Sequence, residues 1–218
     1  MITSLQDQLD EITSNTRHLV QPERLAISER AVADLFVTGI EERILPVGAT
    51  APAFALKDAM GKQMRSADLL QLGPVTVKFF RGRWCSYCST ELEIWRDRYE
   101  QLRERGVLLV AISPQIERQN DFMANQHGLP FPILSDRGNK VAEQFGLAYR
   151  LPEEMQSYYR SIMVNIPFMN GEQSWTLPLP ATYVIGMDGK VVFAEAHADF
   201  RVRPEPEDVL EAAYAAVR

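Results

Sequence analysis

Trp84-Cys85-Ser86-Tyr87-Cys88 holds the only two cysteines of this 218-residue chain. On the first turn of a helix, residues three apart share nearly one face, so the two thiols can reach disulfide distance. Free backbone N–H groups and the positive end of the helix dipole favour a thiolate there, and Arg81 and Arg83 just upstream add positive charge. A thiolate attacks a disulfide sulfur or a peroxide oxygen, and in both cases a second cysteine closes the first product into an internal disulfide. Two other readings compete. A structural zinc site needs about four ligands, and besides the cysteines the chain offers only His18, His127 and His197. Inert buried cysteines are the other alternative, but a helix start directly after an apolar strand stabilises a thiolate rather than silencing it.

Neighbouring side chains have candidate roles of their own. Arg81 and Arg83 are donors for the negative charge that grows on oxygen as an O–O bond breaks, with a solvated loop as the alternative for both. Trp84 shields the sulfurs, recognises a partner or simply packs. Glu91, one turn beyond Cys88, passes protons if partly buried and is otherwise a solvated helix carboxylate.

The elements that must position these residues alternate along the chain. Residues 75–80 read as a buried strand and 85–105 as a helix ended by Gly106, with Glu91, Arg98 and Glu104 on its charged face. A strand over 107–113, a helix around 116–126, a strand over 131–134 and a helix around 141–145 continue the pattern, which implies parallel crossover units. Residues 54–57 form a short strand and Ser66 caps a short helix. Residues 152–162 are helical, 167–180 are rich in turn residues and read as irregular, and 181–185 with 190–194 form a hairpin around Asp188 and Gly189. A last helix, about 207–217, places Val209, Leu210, Ala213 and Tyr214 on one face.

Upstream, Leu5, Leu9 and Ile12 fall at helical spacing, and Pro22 opens a second helical stretch that stops before Gly39. Residues 1–45 therefore read as a helical extension and 46–218 as one α/β domain. The apolar residues of the extension cover the domain core or a dimer seam. A net charge of −6 offers no broad basic field for phosphates, so no nucleic-acid partner is expected. No stretch is long and apolar enough to span a bilayer. Residues 1–15 lack the basic and apolar regions of a signal peptide, so a cytoplasmic location is expected. In that compartment a close cysteine pair reads as catalytic or metal-binding rather than structural.

Val77-Lys78-Phe79-Phe80-Arg81-Gly82-Arg83-Trp84-Cys85-Ser86-Tyr87-Cys88 resembles the signature of bacterial peroxiredoxin-like proteins in the alkyl hydroperoxide reductase and thiol-specific antioxidant group. Ala111-Ile112-Ser113-Pro114-Gln115, Phe131-Pro132-Ile133-Leu134-Ser135-Asp136 and Leu179-Pro180-Ala181-Thr182-Tyr183-Val184-Ile185 are similar to further segments of the same group. The resemblance implies a thioredoxin-like fold, a central mixed sheet flanked by helices. It also implies a thiol peroxidase that acts on hydrogen peroxide or organic hydroperoxides, is recycled by a thioredoxin-type or low-molecular-weight thiol, and needs no metal or organic cofactor, with a homodimer as one candidate assembly.

Two family patterns divide the roles differently. The peroxiredoxin spacing P-x-x-x-T-x-x-C puts the attacking cysteine at Cys88, with Arg81 in place of the proline and Cys85 in place of the threonine. The thioredoxin pattern W-C-x-x-C makes Cys85 the exposed attacker and Cys88 its buried partner. The first cysteine of such a turn has the free N–H groups nearest, which favours Cys85. Peroxiredoxins also carry an arginine just before the strand at 181–185, where thioredoxin-like reductases have a cis-proline. Pro180 resembles the reductase version, so a cis peptide near the cysteines is expected, with an ordinary trans proline as the alternative. The rival functions are accordingly a thiol-disulfide oxidoreductase acting on protein disulfides and a non-catalytic redox sensor.

Overall fold

The computed structural model describes residues 4–217. Two helices, α1 (Leu5–Leu19) and α2 (Pro22–Val37), precede the first strand. Ser4 caps α1 through its hydroxyl, with Asp7 reciprocating to the Ser4 N–H, and Pro22 opens α2, where its missing N–H costs nothing. A 3-10 turn over Ile40–Arg43 leads to β1 (Ala55–Asp58), β2 (Gln63–Arg65), α3 (Ser66–Leu70) and β3 (Val75–Phe79). Then come α4 (Ser86–Glu104), β4 (Leu108–Ser113), α5 (Glu117–His127), β5 (Ile133–Ser135) and α6 (Lys140–Gln144). β6 (Ala148–Arg150), α7 (Glu153–Ser161), α8 (Ile166–Asn170), β7 (Thr176–Pro178), β8 (Ala181–Ile185), β9 (Val191–Ala196) and α9 (Pro206–Ala215) complete the chain.

Seven strands form one mixed sheet in the order β2-β1-β5-β4-β3-β8-β9. β3, β4 and β5 run parallel, linked through α4 and α5, while β8 lies antiparallel to β3 and β9, and β1 antiparallel to β5 and β2. The alternation along β3 sets which face sees the cysteines. Val75, Val77 and Phe79 join a core with Phe145, Tyr183 and Ile40, whereas Phe80 joins the opposite core with Cys88, Leu92, Trp95, Leu5 and Leu9. Lys78 shares the parity of Phe80 and so points toward α4, fully buried.

Two local expectations are corrected. Ser66 does not cap α3: the cap position is Arg65, and the buried Ser66 hydroxyl accepts from the Phe54 N–H at 3.0 Å. Residues 167–180 are not irregular throughout, because most of α8 and all of β7 lie there and β7 pairs antiparallel with β6. These are elements of five and three residues, too short to show a period in the sequence.

Candidate active site

Cys85 is the N-cap of α4, the position at which a side-chain acceptor normally satisfies a free N–H of the first turn. Its Sγ does so, accepting from the Cys88 N–H at 3.4 Å and from the Cys88 S–H at 2.7 Å. Gly82 lets Trp84 and Gln115 pack closely on the turn before the cysteines. Its φ is +146°, and a Cβ there would stand 2.6 Å from Trp84 Nε1. Both cysteines are free thiols. Cys85 keeps 4% exposure and Cys88 none, and of the two only Cys85 lines a cavity.

The same asymmetry separates their acidities. Burial alone would raise the Cys85 thiol, but the hydrogen bond from Cys88 and the positive charges of Arg81 and Arg203 bring it down to about 6. Burial and the adjacent Cys85 sulfur push Cys88 well above the ordinary thiol value. The two shifts, in opposite directions, favour a Cys85 thiolate held by a Cys88 thiol.

Arg81 is almost wholly enclosed, at 1% exposure. Its guanidinium lies 4.2 Å from the Phe200 ring centroid and 4.8 Å from that of Trp84, and Nη2 donates to the Tyr159 hydroxyl at 2.7 Å. Flat aromatic faces suit a guanidinium that has left water. Among the described residues its buried Nε has no acceptor, and neither has Trp84 Nε1. Arg81, Trp84, Cys85 and Tyr159 line one cavity of about 180 Å³, which α1 and α2 roof with Thr13, Arg17, Arg24 and Leu25.

A buried ionic cluster sits behind the sulfurs. The Lys78 ammonium, on β3, contacts the Glu91 carboxylate and the Thr182 hydroxyl, and lies 5.1 Å from the Trp95 ring centroid. Arg203 donates from Nε to the other Glu91 oxygen at 2.8 Å. Burial lowers the Lys78 ammonium, while the charges of Lys78 and Arg203 overcome burial at Glu91 and hold its carboxyl below the usual range. Two cations against one carboxylate leave this cluster an excess of positive charge, part of which reaches Cys85.

The predicted residues do not all converge. Arg81, Trp84 and the cysteines do. Arg83 turns away: its backbone N–H donates to Gln115 Oε1 and its Nε to Gln119 Oε1, both at 2.7 Å, and its guanidinium lies over Phe122. Glu91 is neither solvated nor a free proton carrier, since it is buried and ion-paired twice. Pro180 is buried before β8, but the described residues contain no cis peptide, and Pro180 does not line the cavity over Cys85. The cis-proline expectation is therefore corrected. Of the histidines, His127 pairs with Glu93 and His197 with Glu195. Among the described residues no three His, Cys, Asp or Glu side chains cluster as a metal site.

Lys78, Tyr159, Arg203 and the roof from α1 and α2 were not visible as site features in the sequence. A lysine inside the apolar run Val75-Thr76-Val77-Lys78-Phe79-Phe80 was the one available signal, because a buried ammonium requires a buried partner. Tyr159 and Arg203 lie 74 and 118 residues beyond Cys85 and carry no local mark.

Thiol-disulfide oxidoreductase ResA of Bacillus anthracis is 28% identical over 149 residues, 68% of each chain. Peroxiredoxin Q, chloroplastic, of Sedum lineare is 34% identical over 100 residues, 46% of this chain and 53% of that one. The crystal structure of peroxidoxin BcpB from Mycobacterium tuberculosis superposes with a TM-score of 0.61 at 25% identity, covering 80% of this chain and 99% of that one. Residues 47–194, more than half of the chain, match the AhpC/TSA family. A cysteine pair at a helix start, a mixed sheet behind it and that match lead to one conclusion: the protein belongs to the AhpC/TSA family of thioredoxin-fold, peroxiredoxin-like oxidoreductases.

Proposed function

We propose that the chain is a thiol peroxidase in which Cys85 attacks and Cys88 resolves. The observation that carries this reading is the recess. Cys85 lines a cavity of about 180 Å³, roofed by two helices, which admits a hydroperoxide more readily than a folded protein disulfide. The Cys85 thiolate attacks the terminal oxygen of ROOH, the O–O bond breaks, and the alkoxide leaves and takes up a proton as ROH. Arg81 and the N–H groups at the start of α4 face the charge that develops on the oxygens. The Cys88 sulfur, 2.7 Å away, displaces water from the Cys85 sulfenic acid to form the disulfide, and an external thiol returns two electrons.

Turnover of hydrogen peroxide and cumene hydroperoxide with a thiol donor tests this reading. The expected result is consumption far above that given by the free thiol. No consumption with any donor overturns it. A second reading, a thiol-disulfide oxidoreductase, is favoured by the division of one low-pKa and one buried cysteine. Fast insulin reduction with no peroxide turnover would establish that one instead.

A further inference from the structure

The chain is acidic overall, with a net charge of −6, yet the cavity over Cys85 is cationic. Arg17, Arg24, Arg81 and Arg201 line it against a single carboxylate, Glu29. Glu29 is already engaged, since Arg201 binds it bidentately at 2.6 and 3.0 Å and also binds Asp199. Arg17 and Arg24, on α1 and α2, are exposed and form no ion pair among the described residues. Deeper in, the buried Arg81 Nε has no acceptor. A mouth with two exposed guanidiniums outside any ion pair, of which Arg17 also bears on Glu29, and a floor where one Arg81 N–H lacks an acceptor among the described residues make a site for a small anion that carries a second polar oxygen.

The roof is anchored. Leu5 and Leu9 of α1 are buried in the core beside Cys88 and Trp95, the Thr13 hydroxyl meets Tyr87 Oη at 3.1 Å, and both Glu205 carboxylate oxygens accept the Leu5 and Gln6 N–H groups. A protein dithiol that had to reach Cys85 would first have to displace this helix.

We propose that the Cys85–Cys88 disulfide is reduced by a small carboxylate-bearing thiol that enters this arginine-lined cavity, and not by a protein dithiol. The proposal names the reductant of the peroxidase reading. A donor thiolate attacks the sulfur of Cys85, the only one of the two cysteines that lines the cavity. The internal S–S bond breaks, a mixed disulfide forms, and Cys88 leaves and takes up a proton. A second donor thiolate attacks the donor sulfur of the mixed disulfide, releasing the donor disulfide and the Cys85 thiolate.

Disulfide prepared with diamide, in the absence of peroxide, lets this step be measured without the first half of the cycle. Re-reduction is followed by mass shift after alkylation, using glutathione, the cationic thiol cysteamine, or a thioredoxin kept reduced by its reductase. At equal thiolate concentration glutathione is expected to exceed cysteamine by about tenfold, the scale of electrostatic steering, and to lose that advantage in Arg17→Glu/Arg24→Glu and in high salt. The Arg17→Lys/Arg24→Lys pair should retain it. The proposal is overturned if cysteamine matches glutathione, if the charge reversal leaves the ratio unchanged, or if thioredoxin at equal concentration is faster. A chain that glutathione reduces in this way but that consumes no peroxide would keep the reductant site and refute the peroxidase reading.

Discussion

Cys85 and Cys88 are identical in chemistry and separated in function by what surrounds them. Cys85 is the N-cap, lines the cavity and is shifted toward the thiolate, whereas Cys88 is its fully buried donor. One equivalent of hydrogen peroxide should therefore leave a sulfenic acid on Cys85 in Cys88→Ser and nothing stable in Cys85→Ser, read by mass spectrometry after dimedone trapping. The acidity supplies a second test. Because Cys85 is brought down to about 6, it is deprotonated above that pH, so iodoacetamide alkylation of the reduced protein should rise through pH 6 and level off by pH 7.5. Cys88, pushed the other way, adds no second step in that range. Arg203→Met removes one of the charges that lower Cys85, so its midpoint should move upward. It also strips Glu91 of one partner, with a stability loss of about 3 kcal/mol by urea unfolding.

At the scale of elements, the helix that carries the chemistry was legible and its cover was not. The run of strand, Arg-Gly-Arg turn, cysteines and helix lies within about thirty residues, and its local signals agree with one another. The strand register that sends Lys78 toward Glu91 depends on β8 arriving beside β3 from more than a hundred residues away. Arg203 joins from the loop before α9. Neither pairing leaves a spacing that a sequence can display. The same holds for α1. Leu5 and Leu9 mark an apolar face, but nothing near them says that the face meets the core beside Cys88 and Trp95. Leu9 is fully buried, so Leu9→Ala should cost about 2–5 kcal/mol by urea unfolding. It should also make Cys85 react faster with a bulky disulfide such as Ellman's reagent while leaving its rate with hydrogen peroxide nearly unchanged, because only the larger reagent is held back by the roof.

At the scale of the whole molecule, the two faces of the sheet have different duties. The face with Val77, Phe79, Phe145 and Tyr183 is apolar packing, whereas the face against α4 encloses the cysteines and the Lys78-Glu91-Arg203 cluster. The parallel order of β3, β4 and β5 could be read from the alternation of strands and helices, and the antiparallel hairpin of β8 and β9 from its Asp188-Gly189 turn. Pro180 shows where resemblance misled. Its place before β8 matched a reductase pattern, but its peptide is trans and it does not line the cavity, whereas Arg81 does and bears on Cys85 together with Arg203. Charge also acts at this scale. An acidic surface around a cationic recess predicts that iodoacetate, which is anionic, alkylates Cys85 relatively faster than iodoacetamide at low salt than at high salt.

Glu205 binds the start of α1 across two hundred residues of chain, and this puts the two segments in one order of events. α1 leaves the ribosome two hundred residues ahead of Glu205 and cannot settle until that residue has followed. At 5–20 residues per second the interval is on the order of ten seconds or more. Throughout it the sheet behind the cysteines lacks β8 for part of the time, and the sulfurs lack their cover for all of it. A nascent chain is thus most open to premature oxidation, or to capture by another disulfide, when its cysteine turn exists but Glu205 has not yet been made.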